Sequence, residues 1–111
     1  MKEHEYSVFL EAVNHMEHHM EQQMQVADIA RAIHVSESRL QRSFRACVGT
    51  SVHAYLLRIR LEKAREALSR GCRVSDAASL CGFSNCNHFS YSFKKEFGIN
   101  PSQVKKRQEM P

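Results

Sequence analysis

Apolar residues recur at intervals of three and four along most of this chain, and no stretch alternates convincingly with a period of two. The pattern predicts an all-α fold. A first helix is expected over about 6–21, with Val8, Phe9, Ala12, Val13, Met16 and Met20 on one face. A short helix follows over about 26–33. The next runs from an N-cap at Ser36 to a stop at Gly49, with Leu40, Phe44, Cys47 and Val48 turned inward. Ser51 opens a long helix that reaches about residue 69 and is stopped by Gly71. A second short helix is expected over about 74–80, and Ser84 is the expected cap of a helix that Gly98 ends. Pro101 suits the first turn of a seventh, short helix. Gln25 and Arg73 precede the two short helices and are poor caps, so periodicity alone carries those two elements.

Laid over itself, the chain repeats. "VADIARAIHVSESRLQRSFRACVGTSV" matches "VSDAASLCGFSNCNHFSYSFKKEFGINP": Val26, Asp28, Ala30 and Ser36 pair with Val74, Asp76, Ala78 and Ser84 at a spacing of 48. One inserted residue then moves the spacing to 49, pairing Leu40 with Phe89, Phe44 with Phe93 and Gly49 with Gly98. Each copy is a short helix, a tight turn and a second helix, which is a helix-turn-helix unit. The units occupy about 5–50 and 71–107, joined by a linking helix over 51–70 that is long enough to hold them apart at about 1.5 Å per residue.

The second helix of each unit has a polar back. With Leu40 and Phe44 inward, Ser38, Arg42 and Arg45 point outward, flanked by Arg39 and Gln41. With Phe89 and Phe93 inward, Asn87, Tyr91 and Lys94 point outward, flanked by His88 and Ser90. The second set is the first moved along by the repeat spacing. Both faces consist of hydrogen-bonding side chains of the kinds that read DNA. Arginine grips guanine O6 and N7 with two bonds, and Asn or Gln does the same for adenine. Arg42 is the leading base reader, with Arg39 and Gln41 beside it. Asn87 and His88 stand near a helix N-terminus, where base contacts concentrate. Arg45, Lys94 and Lys95 lie further along and suit phosphates, which position a protein without specifying sequence. A polar, basic helix face is more often simply solvated; it is the duplication that gives this one weight.

Composition changes the picture modestly. The 111 residues suffice for one domain, or two very small ones. The net charge of +4 hides an asymmetry: residues 1–25 hold one lysine against five glutamates, whereas 26–111 hold fifteen Lys/Arg against seven Asp/Glu. A basic body points to a polyanionic partner. No apolar run approaches the roughly 20 residues that span a bilayer, and the start lacks a secretory signal, so a soluble, cytoplasmic protein is expected. Cys47, Cys72, Cys81 and Cys86 are expected as reduced thiols, with Cys81 and Cys86 inward. His15 and His19, four apart, have the spacing of two metal ligands, but a solvated helix face is the simpler account. No phosphate loop, nucleophile elbow or paired carboxylates emerge, so neither an enzyme nor a cofactor or metal site is expected.

"VADIARAIHVSESRLQRSF", "RLEKAREAL" and "VSDAASLCGFSNCNHFSYSFKKEFGINPSQ", in that order, closely resemble the DNA-binding domain of the AraC/XylS family of bacterial transcription regulators. The resemblance runs over about 5–107. Val104, where the family usually has an aromatic residue, and Ala77, where isoleucine is common, depart from its pattern, as do the histidines of the first helix. The resemblance implies two recognition helices in successive major grooves about 34 Å apart on promoter DNA, with base contacts at the matching positions of both helices. It also implies transcription activation through RNA polymerase, with repression at some promoters. Most such proteins carry a ligand-binding or dimerising domain ahead of this one. The chain is therefore expected to act as a monomer if it stands alone, or as a dimer through a domain not in this sequence. The competing expectation is a helical protein-interaction module that antagonises a related regulator without binding DNA.

Overall fold

The computed structural model describes residues 3–104. Among them are six α-helices: α1 (Glu3–His18), α2 (Val26–Ala32), α3 (Glu37–Val48), α4 (Val52–Ser69), α5 (Val74–Leu80) and α6 (Cys86–Phe97). The expected seventh helix is a single 3-10 turn, Pro101–Gln103. Pro101 starts it, but Val104 is already extended, so no second turn follows. No helix of the described residues is long and apolar enough to cross a membrane.

The chain forms two compact units, Met1–Leu57 and Arg58–Pro111, whose boundary falls inside α4. The linking helix is thus shared between them. Its buried positions change register accordingly: Val52 and Leu56 belong to the first unit, Leu61, Ala64 and Leu68 to the second.

In the first unit α1 lies against α2 and α3. Val8, Phe9, Ala12, Met16, Ile29, Ala30, Leu40 and Phe44 fill the space between them. The rings of Phe9, Phe44 and Tyr55 meet edge to face, with centroids 4.9 to 5.5 Å apart. A buried phenylalanine contributes about 1.5–3 kcal/mol, and such ring pairs add to it. Ser43, fully buried in α3, donates its hydroxyl proton to the Glu5 carbonyl at 2.6 Å. That bond pins α3 to the start of α1.

The first helix ends three residues early, at His18 rather than near residue 21. The ring Nδ1 atoms of His18 and His19 bond the Asn14 and His15 carbonyls, each at 2.8 Å. The His15 carbonyl is one that the helix end leaves open, whereas the Asn14 carbonyl lies a residue further inside. Gln25 also differs from expectation: its N–H donates to the Asp28 carboxylate at 3.0 Å, so α2 is held by an acid one turn inside it. Val48, expected inward, is 40% exposed, because the last turn of α3 runs beyond the core.

The second unit is built on Phe89 and Phe93, both fully buried, with Leu61, Ala64, Leu68, Ala77, Ala78 and Cys81. Phe83, Phe89, Phe93 and Phe97 form a continuous file with centroid spacings of 5.1, 5.6 and 4.7 Å. The Arg65 guanidinium lies over the Phe97 ring at 5.0 Å, closing the file. Burial lowers the pKa of Arg60, and the neighbouring Cys81 thiol offsets this in part. None of the four cysteines is in a disulfide. Cys86, expected inward, is exposed, because it occupies the first helical position, a turn ahead of Phe89.

Candidate nucleic-acid interface

Both units present their second helix through the same turn. In the first, the N–H groups of His34 and Val35 bond the carbonyls of Arg31 and Ala30; in the second, Gly82 and Phe83 do so with Ser79 and Ala78. These are equivalent residues of the repeat. His34 and Gly82 both take left-handed backbone, at φ 60° and 83°. Glycine adopts it freely, whereas histidine is among the few side chains that tolerate it.

The two turns then diverge. Ser36 caps α3, its hydroxyl accepting from the Arg39 N–H at 3.1 Å. The cap of α6 is Asn85, not Ser84 as expected: Asn85 Oδ1 accepts from the N–H groups of Asn87 at 2.8 Å and His88 at 3.1 Å. The inserted residue therefore lies inside the turn, and the 49-residue spacing already holds at the cap. Carrying that spacing back from Leu40 and Phe89 would have found Asn85 in the sequence. Gly49 and Gly98 end the two helices in left-handed conformation, at φ 74° and 79°.

Within α3, Ser38, Arg39, Arg42 and Arg45 are exposed on the side away from Leu40 and Phe44. Within α6, Asn87, His88, Tyr91, Lys94 and Lys95 are exposed, with Tyr91 at 69%. Ser90 and Gln41, the flanking pair, are half-buried. The His88 ring leans on Phe83 with centroids 5.8 Å apart, which restrains it.

Gln41 is turned to a structural task that the sequence did not reveal. Its Oε1 accepts the N–H of Val52, the first residue of α4, at 3.0 Å. No local motif announces this bond, since the partners are separated by the turn at Gly49. Ser51, as expected, caps the same helix by accepting from the Ala54 N–H at 3.1 Å.

The cations of both faces are unspent. Among the described residues the ion pairs are Arg31–Asp28, Arg58–Glu62 and Arg70–Glu66, all outside α3 and α6. Arg39, Arg42, Arg45, Lys94 and Lys95 take no part in them. A cation without an internal counter-charge is free to neutralise an external anion. The arrangement offers two helix faces of donors and positive charge, each set on a mainly apolar inner face that includes one buried serine.

The chain matches the helix-turn-helix domain model over residues 15–107. It is 31% identical over 91 residues to the probable transcriptional regulator LumQ of Photobacterium leiognathi, covering 81% of this chain and 37% of that protein. It is 40% identical over 75 residues to the transcriptional activator RhaR of Pectobacterium atrosepticum, covering 67% of this chain and 26% of that one. The chain thus spans between about a quarter and two fifths of these relatives' length. Among solved structures, a transcriptional regulator from Chromobacterium violaceum, described as AraC-type, superposes with a TM-score of 0.85 at 31% identity, covering 94% of both chains. With that match extending through both α3 and α6, the chain belongs to the helix-turn-helix domain family in its AraC-type form.

Proposed function

We propose that this chain binds double-stranded promoter DNA sequence-specifically and activates transcription from it, in the cytoplasm of a bacterium. The observation that carries the reading is the pair of outward faces on α3 and α6. They stand at one register of the repeat and bear cations that pair with no acid among the described residues. Each helix enters a major groove of its own. Arg42 reads a guanine, with Arg39 beside it; Asn87 and His88 read base edges in the second groove. Ser38, Ser90 and Tyr91 complete the faces, while Arg45, Lys94 and Lys95 meet phosphates. The name of RhaR supports activation, and RNA polymerase is the implied partner. The chain acts as a monomer when alone and as a dimer if a further domain supplies the contact.

Selection from a randomised duplex pool of about 30 base pairs, which accommodates two grooves a helical turn apart, tests this. The expected result, at near-physiological salt with competitor DNA, is enrichment of two dissimilar short motifs at one fixed spacing. One motif alone would mean that a single helix reads bases. No enrichment, from the chain or from a fused dimer, would overturn the reading in favour of a protein-binding module.

A further inference from the structure

Gln41 differs from the other residues of its face in one respect: half of its amide is already committed. An N–H can face only the oxygen end of a carboxamide. The Val52 N–H, 3.0 Å from Oε1, therefore fixes which end of Gln41 points where. Val52 itself is fully buried. Turning the amide over would leave a buried backbone donor facing another donor. What remains for a partner outside is the NH2 group and the second lone pair of Oε1.

The second unit shows why this constraint belongs to the first unit alone. At the repeat spacing of 49, Gln41 corresponds to Ser90 and Val52 to Pro101. Proline has no N–H, so the second unit has no donor to satisfy there and Ser90 is not enlisted. Gln41 and Val52 thus form a matched pair: the chain has an amide acceptor where it has an open N–H, and neither where it has proline.

A glutamine with both ends free recognises adenine, accepting from N6–H and donating to N7. With its oxygen held by Val52, Gln41 has one lone pair left there beside two free donors. Given the DNA-binding reading above, on which this rests, we propose that Gln41 is a specificity-determining residue whose amide, held in one orientation by Val52, offers the major groove chiefly donors. It favours guanine, which presents two acceptors at O6 and N7, or thymine through O4, over adenine, whose single acceptor N7 stands beside the N6–H2 donor. Its neighbour Arg42 is donor-only, so the centre of α3 is a strip that selects acceptors.

The test uses the whole chain, a duplex obtained by selection, and every single base-pair substitution of that duplex. Wild type, Gln41→Glu and Gln41→Ala are compared for relative affinity and for Tm. Glutamate keeps an oxygen for the Val52 N–H but exchanges the donor for an acceptor. The expected result is a Tm close to wild type for Gln41→Glu and a lower one for Gln41→Ala. At one base pair, preference should shift in Gln41→Glu from an acceptor-bearing base towards cytosine, by about 10-fold or more in relative affinity. A uniform loss across all sequences, as added negative charge alone would give, would overturn the proposal. So would a wild-type preference for adenine that Gln41→Ala abolishes. An unchanged Tm in Gln41→Ala would overturn the anchoring. If wild type selects no sequence, the DNA-binding reading itself fails, a result separable from all of these because no variant is needed to see it.

Discussion

The two halves of this molecule use one plan with different parts. In the first, three residues separate α2 from the cap of α3, His34 takes the left-handed position and Ser36 caps one N–H. In the second, four residues do the same work, Gly82 takes the left-handed position and Asn85 caps two N–H groups. The inner faces barely differ in kind: Leu40 and Phe44 answer to Phe89 and Phe93, and buried Ser43 to buried Ser92. The outer faces share only their placement, arginines in α3 against asparagine, histidine, tyrosine and lysines in α6. Packing admits few solutions for a residue enclosed on all sides. A residue facing solvent is limited by helix propensity and by its partner, so this is where the two copies were free to diverge. The difference teaches that the two units share a scaffold and differ in the faces proposed to meet DNA.

The largest test of that contrast is at the proposed base contacts. Arg42→Ala is expected to cost about 1–3 kcal/mol at one base pair, the worth of a two-bond contact, and to relax preference there. Asn87→Ala should cost less, because the tip of α6 carries less positive charge. Affinities for a selected duplex and its single-pair variants measure both. Intact preference in Arg42→Ala alongside lost preference in Asn87→Ala would reverse the order of the two units.

A smaller effect is expected at the turns. Gly82→Ala places a Cβ at φ 83° and should destabilise by about 1–2 kcal/mol. His34→Gly should be near neutral, since relief at φ 60° is offset by the freedom glycine adds to the unfolded chain. Denaturant melts of the two variants compare the turns directly. A larger loss from His34→Gly than from Gly82→Ala would mean that the His34 side chain, not its backbone, matters.

The smallest effect is one of pH, and it is expected at His15 in the first unit. Burial lowers the pKa of His15, and the stacked His19 ring, its centroid 4.1 Å away, lowers it further. The unfolded chain then binds the proton more readily than the folded one. The associated stability is complete above the unfolded value near 6.5 and is lost as pH falls through the lowered folded value. Between about pH 7.5 and 5.5 a fall in Tm of roughly 1–3 °C is expected, and His15→Gln should lessen it. A Tm that rises on acidification would show that the α1 C-terminus, not burial, governs this histidine.

The inner faces were legible because a helix buries every third or fourth residue. Phe9, Phe44, Phe89 and Phe93 are where the period puts them. The outward faces followed by subtraction, and every candidate reader except half-buried Gln41 and Ser90 is exposed. Where the reading slipped, a local rule met a competing group: Ser84 is a good cap in isolation, but Asn85 stands where the helix begins. Val48 and Cys86 have inward angles on the wheel but sit in terminal turns, past the reach of the core. The wheel knows angle and not height.

The sequence by itself determined the helices, the repeat, the apolar seams and the register of the two polar faces, because each depends on neighbours within about a turn of helix. Only the tertiary structure decided what depends on residues brought together from afar. It set Ser43 against Glu5, spent the histidine rings on the end of α1, and divided α4 between two units. Above all it turned Gln41 from a free amide into one held by Val52. A polar side chain's partner is whichever complementary group the fold brings within about 3 Å, and no period in the sequence carries that distance.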